Sequence, residues 1–294
     1  MIQKHFSQYE YKFQRQLLNI FHAVENRRFA NQIGPKFYSQ YQCFVLLVLY
    51  KRSKLPLRQF VDSLYESKWP KWLGLSEIPT KSTLHRWLQN FSVAHLRRFL
   101  LQTKPKTKLT AIDATGIDSW QRSRHYERRI GEAQMSYAKL DIIVDTESLF
   151  VIDHVLHMKP RHDIIAAKSM LCRTKLKGKM LADKGYDSEP LHKLAHSKGI
   201  DFFAPVRKSN RKRPRGFFRK KCVHQDEQYS RRNTVESAIH ATKCQIPNLR
   251  SKLHYMKKRE MALALLVYNI ERIVRGFSDI LLELLWQLSL KSEN

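Results

Sequence analysis

LTAIDATGIDS, residues 109–119, is rich enough in β-branched and apolar residues to predict a strand, yet it sets Asp113 between Ile112 and Ala114. An isolated carboxylate is expensive to bury there, so a cationic partner is expected to compensate it. Two similar stretches follow closely, MSYAKLDIIVD (135–145) and LFVIDHVLH (149–157), and the three predict an antiparallel meander. Next come a helix over about 163–174, a fourth strand in KMLADKGYD (179–187), a helix capped near Asp187 or Ser188 and stopped by Gly199, and a fifth strand in DFFAPV (201–206). That order predicts a mixed five-stranded α/β sheet covered by helices. Asp183 falls at the end of the fourth strand, just before Gly185, where α/β sheets place their chemistry.

Upstream of the strands, residues 1–103 predict a helical region. Gln40–Tyr50 is strongly apolar, and Leu57–Glu66 is amphipathic through Phe60, Val61, Leu64 and Tyr65. A breaker segment with Pro70, Gly74 and Pro79 leads to Ser82, read as the cap of a helix that buries Leu84 and Leu88 and shows His85 and Arg86. Two helices joined in this way suggest a helix-turn-helix-like DNA reader, although the connection exceeds the usual short turn. KPKTK (104–108) is the expected boundary, with a catalytic domain over 104–275 and a C-terminal helix over 276–294 on the core or a partner.

The chain carries 54 Lys and Arg against 26 Asp and Glu, a formal charge of +28 in 294 residues. A chain this basic repels itself unless its partner is a polyanion, and releasing counterions from double-stranded DNA turns the charge into affinity. No apolar run is long enough to span a bilayer, and the N-terminus lacks the apolar core of a signal peptide. Four scattered cysteines form no C-x2-C pair, and Cys222 and Cys244 with His224 and His240 match no zinc template. They read as reduced thiols of an intracellular protein.

Between the fifth strand and the next helix lies RKSNRKRPRGFFRKK (207–221), nine basic residues and no acidic one. Arg211, Lys212, Arg213 and Arg215 are its candidate phosphate grips, and Phe217 and Phe218 either stack on bases or anchor the loop. YSRRNTVESAIHATK (229–243) follows. Read as one helix, it lines Tyr229, Arg232, Glu236 and Lys243 within an arc of about 60°, and buries Val235, Ala238, Ile239 and Thr242 behind them. By residues alone this is either a solvated face or a site.

The pattern Y-x2-R-x3-E-x6-K, complete here as Tyr229, Arg232, Glu236 and Lys243, resembles the signature of a large group of DDE transposases encoded by insertion sequences. LADKGYDSEPL around Asp183 and LTAIDATGI around Asp113 resemble the family's two aspartate blocks, and WPKWLGLSEIPTKSTLHRWL (69–88) its N-terminal region. The resemblance implies an RNase H-like core in which Asp113, Asp183 and Glu236 bind two divalent ions, usually Mg²⁺ with Mn²⁺ able to substitute. It also implies cleavage at transposon ends, strand transfer into target DNA, and a homodimer that pairs two ends. Arg232 would touch the near phosphate, with Tyr229 and Lys243 positioning DNA farther out. In a prokaryotic host the protein would work in the cytoplasm, at the nucleoid. Some relatives carry a tryptophan that assists a hairpin intermediate in an insertion between the second aspartate and the glutamate. Here that interval contains none. A DNA-holding copy that no longer cuts, and an RNase H-like nuclease without strand transfer, are the alternative readings.

Overall fold

The computed structural model describes residues 2–25, 37–118, 137–159, 161–207, 214–224, 226–245 and 249–292. The chain divides into two compact units, one of residues 1–103, 245–247 and 251–294, the other of 104–244 and 248–250.

The second unit is built on five strands: β1 (Leu109–Asp118), β2 (Tyr137–Asp145), β3 (Val151–His157), β4 (Gly178–Ala182) and β5 (Ile200–Phe203). They run in the order β3-β2-β1-β4-β5, antiparallel from β3 to β1 and parallel from β1 through β4 to β5. The fold is RNase H-like. Counting the helices before β1 as α1 to α6, helix α7 (Asp163–Arg173) connects β3 to β4 and α8 (Glu189–Ser197) connects β4 to β5. Ala166, Ala167, Met170 and Leu171 of α7 and Leu191 and Ala195 of α8 join Ile112, Ile143 and Ile152 in one core. Side chains alternate along a strand, so Ile112 in that core puts Asp113 on the other face of the sheet.

Asp141 on β2 lies opposite Ala114, on the Ile112 face, with a fully buried side chain. Lys139 Nζ is 3.5 Å away and also bonds Asp163. Burial, countered by Lys139 and reinforced by Asp163, pushes the Asp141 carboxyl up to about 7. An acid whose folded value exceeds its unfolded value binds more protons in the native state, so stability is highest at low pH and falls as pH rises from about 4 to about 7. Asp141→Asn is expected to flatten that stretch of the profile and to gain about 2 kcal/mol at pH 8, less than the full shift because Lys139 loses a neighbour. Urea midpoints between pH 4 and 8 check this, and an unchanged slope refutes it.

The first unit opens with α1 (Ile2–Glu25), α2 (Gln40–Ser53), α3 (Leu57–Tyr65), α4 (Trp69–Trp72), α5 (Lys81–Asn90) and α6 (Val93–Gln102). Ser39 and Gln42 form a reciprocal capping box at the start of α2, and the run Phe44–Tyr50 is buried. Two expectations are corrected here. The breaker between α3 and α5 contains the single-turn helix α4, with Pro70 where a first-turn proline costs no hydrogen bond. The cap of α5 is Thr80 rather than Ser82, its hydroxyl accepting from Thr83 N at 3.3 Å. His85 and Arg86 are exposed on α5, as their polarity predicts.

Two further helices of the second unit, α9 (Phe217–Lys221) and α10 (Thr234–Gln245), precede the last helix, α11 (His254–Ser292), which bends at Gly276. α11 packs against α1, α2 and α6, with buried Asn269 donating to Thr103 Oγ1 at 2.7 Å. By its contacts, the segment up to Arg275 clusters with the N-terminal helices. Among the described residues no helix is long and apolar enough to cross a membrane.

Candidate active site

In the parallel pair β1 and β4, Ile112 is the partner of Ala182. The next residue on each chain is an aspartate, so register alone brings Asp113 and Asp183 out side by side. Asp113 Oδ1 accepts from the backbone N–H of Ala114 at 2.7 Å, and Asp183 Oδ1 from that of Lys184 at 2.7 Å.

The stretch from Tyr229 is not one α-helix. Tyr229–Asn233 is a 3₁₀ turn, and α10 starts at Thr234. The 3₁₀ turn packs against β1 and β4, and its tighter winding shifts Tyr229 and Arg232 off the line that a uniform 3.6-residue period gives them. The buried back of α10 is as expected, with Val235, Ala238, Ile239, Ala241 and Thr242 all inaccessible.

Arg232 joins the two elements. Its Nη1 donates to Asp113 Oδ2 at 3.1 Å and its Nη2 to Glu236 Oε1 at 2.8 Å. This is the cation that a carboxylate in an apolar strand demands. Burial raises the Asp113 carboxyl above the usual carboxylate range, and Asp183 and Glu236 add to the rise while the Ala114 N–H and Arg232 oppose it. Arg232 is itself nearly enclosed, with 14% of its side chain exposed, whereas Glu236 is 61% exposed. Burial would weaken the guanidinium's hold on its proton, but Asp113 and Glu236 outweigh burial and strengthen it.

Tyr229 stands at the start of the 3₁₀ turn, against β5. Its ring meets Phe203 of β5 edge-on at 5.5 Å. Burial raises the Tyr229 hydroxyl's pKa, with Asp183 and Asp113 adding to the effect. Lys243 is exposed in the last turn of α10, seven residues and about 10.5 Å along the axis beyond Glu236.

The basic stretch divides. Arg211, Lys212 and Arg213 lie outside the described residues, and Arg215 is exposed. Arg207 and Arg219 are taken up by the protein itself. Arg207 donates from Nε to Lys184 O at 2.6 Å, from Nη2 to Gly185 O at 2.7 Å, and from its backbone N–H to Asp187 Oδ2 at 2.9 Å. Arg219 grips both oxygens of Asp187 at 2.6 Å. Glu189 accepts from the backbone N–H groups of Phe217, Phe218 and Arg219, capping α9. These contacts fix the turn that carries Asp183. Nothing in a charge run marks which cations are spent internally, so this role was not legible. Asp141 was also passed over, though its place in an apolar strand, like that of Asp113, is a signal that could have found it.

Three carboxylates with no soft ligand beside them suit a hard divalent cation. Among the described residues no three such side chains are close enough together to hold one, because Arg232 spans Asp113 and Glu236. The donor set therefore fits a hard divalent ion in chemistry, while Arg232 and not an ion holds Asp113 and Glu236 here. Cys244 and His240 are neighbours at 3.8 Å on α10 and belong to no metal cluster among the described residues.

An RNase H-like sheet with acidic residues paired at its two central parallel strands and a third on the helix that follows defines a class of phosphodiester-processing enzymes. The chain belongs to the family of the transposase DDE domain, which matches residues 104–270, more than half of its length. It is an enzyme of DNA transposition, and the family generally uses divalent metal ions. Among solved structures, that of a piggyBac transposase synaptic complex with hairpin DNA is similar over 89% of this chain and 72% of its own, at 10% identity and a TM-score of 0.44. No curated protein matches the chain.

Proposed function

We propose that this transposase is of the Y-x2-R-x3-E-x6-K group and cuts and joins DNA with Asp113, Asp183 and Glu236 as its catalytic carboxylates. The observation that carries the proposal is the pairing of Asp113 and Asp183, at the positions that follow the β1 and β4 partners Ile112 and Ala182, with Glu236 linked to Asp113 through Arg232. These three would hold two Mg²⁺ ions, for which Mn²⁺ can substitute, and the ions would activate the attacking oxygen and stabilise the leaving one. Asp113 and Asp183 are rigid, held by the sheet and by backbone N–H donors, while exposed Glu236 completes the set from α10. Arg232, Tyr229 and Lys243 would orient the phosphodiester.

Water first displaces the 3′ oxygen at a transposon end, forming one P–O bond as another breaks and leaving a 3′-OH. That hydroxyl then displaces a 3′ oxygen in target DNA in the same way. Little covalent chemistry is asked of the protein beyond positioning and charge. Arg211, Lys212, Arg213 and Arg215 would grip phosphates. His85 and Arg86, exposed on α5, would contact the end sequence from the helical unit over 1–103. Two chains would pair two ends, and in a prokaryotic host the work would be done in the cytoplasm, at the nucleoid.

The full chain incubated with its gene's own flanking ends and Mg²⁺ is expected to yield a free 3′-OH and then joined product. Failure to cut any end-containing duplex with Mg²⁺ or Mn²⁺ refutes the proposal. In the same binding buffer Arg86→Ala is expected to lower the slope of log affinity against log salt by about 1 if Arg86 meets a phosphate. An unchanged slope removes Arg86 from the interface.

A further inference from the structure

We propose that Arg232 is an exchangeable counter-ion, which neutralises Asp113 and Glu236 until a divalent ion takes those carboxylates and then turns its guanidinium to a DNA phosphate, so that ion and DNA bind cooperatively. The inference rests on the reading of Asp113, Asp183 and Glu236 as ion ligands and goes beyond it, by giving one side chain two successive partners.

Three features of the site support it. The guanidinium spends one nitrogen on each carboxylate, Nη1 at 3.1 Å from Asp113 and Nη2 at 2.8 Å from Glu236, rather than gripping one of them with both. Its Nε–H is buried without a hydrogen-bond partner, so the arrangement leaves a donor unused. It stands within a 3₁₀ turn, whose hydrogen bonding is poorer than an α-helix's, next to a Glu236 carboxylate that is largely in solvent.

The charges point the same way. A single guanidinium bridges Asp113 and Glu236, with Asp183 in the neighbouring register, so one positive charge serves three carboxylates. A divalent ion brings twice the charge and competes with the guanidinium for the same carboxylates. The displaced fork matches phosphate oxygens as well as it matches carboxylate. By linkage, whatever factor the ion adds to DNA affinity through Arg232, DNA adds to ion affinity.

The test is Mn²⁺ binding to the full chain without DNA, followed by electron paramagnetic resonance, for wild type, Arg232→Gln, Arg232→Lys and Asp113→Asn. Arg232→Gln is expected to bind Mn²⁺ about fivefold more tightly than wild type, a shift in the usual range for coupled sites. Arg232→Lys, which keeps the charge without the fork, is expected to fall between them. With a short duplex present, adding Ca²⁺ is expected to raise DNA affinity in wild type by about fivefold more than in Arg232→Gln. Unchanged or weaker Mn²⁺ binding in Arg232→Gln, with Asp113→Asn clearly weakened, overturns the exchange and leaves the ligand assignment standing. Mn²⁺ binding unaffected by Asp113→Asn overturns both.

Discussion

Asp113→Asn, Asp183→Asn and Glu236→Gln are each expected to lower Mg²⁺-dependent cleavage of end-containing DNA by about a thousandfold or more, with joining lost in parallel. Each change keeps shape and removes one negative ligand, so the loss would report charge and coordination rather than packing. Asp113 gives the sharpest case. It pays for its burial through the Ala114 N–H and Arg232, which bond different carboxylate oxygens, so asparagine keeps an acceptor for only one of the two. A neutral side chain in turn escapes the burial that raises the Asp113 carboxyl. Thermal stability in the metal-free protein should therefore change little, the lost acceptor offsetting the relief of burial, while activity collapses. Single-turnover cleavage beside a melting curve separates the two effects. If all three variants cut as wild type does, these carboxylates are not the catalytic set.

The second large effect is on stability. Asp187→Ala is expected to destabilise the sheet unit by about 3–5 kcal/mol, the range for removing one member of a buried ion pair. The Asp187 side chain is 1% exposed and Arg219 keeps only 22%, so the stranded guanidinium has little water to turn to. The backbone N–H of Arg207 loses its acceptor at the same time. Burial alone would raise the Asp187 carboxyl, but Arg219 and the Arg207 N–H hold it below the usual carboxylate range. For an acid of depressed value, the stabilisation is complete above the unfolded pKa near 4 and disappears as pH falls through the folded one. Denaturant unfolding at pH 7 and on the acid side tests both points. A loss under about 1 kcal/mol at pH 7 contradicts the clamp.

Most of the sheet was legible because buried strands declare themselves locally. β1 and β4 begin within a residue of their expected positions, since β-branched runs and a following glycine are short-range signals. The demand for a cation beside Asp113 was legible too, as desolvation depends on the strand and not on its partner. That the cation is Arg232 was not, because the helical stripe assumed a uniform 3.6-residue period and the turn is 3₁₀. The placement of α11 among the N-terminal helices depends on contacts between distant parts of the chain, such as Asn269 with Thr103, which no local pattern encodes. The internal use of Arg207 and Arg219 was hidden for the same reason.

That internal use has a topological consequence. Arg207 on one side of the basic stretch and Phe217–Arg219 on the other are both fastened to residues 184–189, so the chain leaves the turn behind Asp183 and comes back to it. Whatever lies between those anchors is a closed excursion whose length is free of the distance between Asp183 and Glu236. Doubling such an excursion costs only about 0.6 kcal/mol in closure entropy. This is the place where the fold can accept or discard a whole added segment without moving its carboxylates, and two arginines and two acids suffice to make it so.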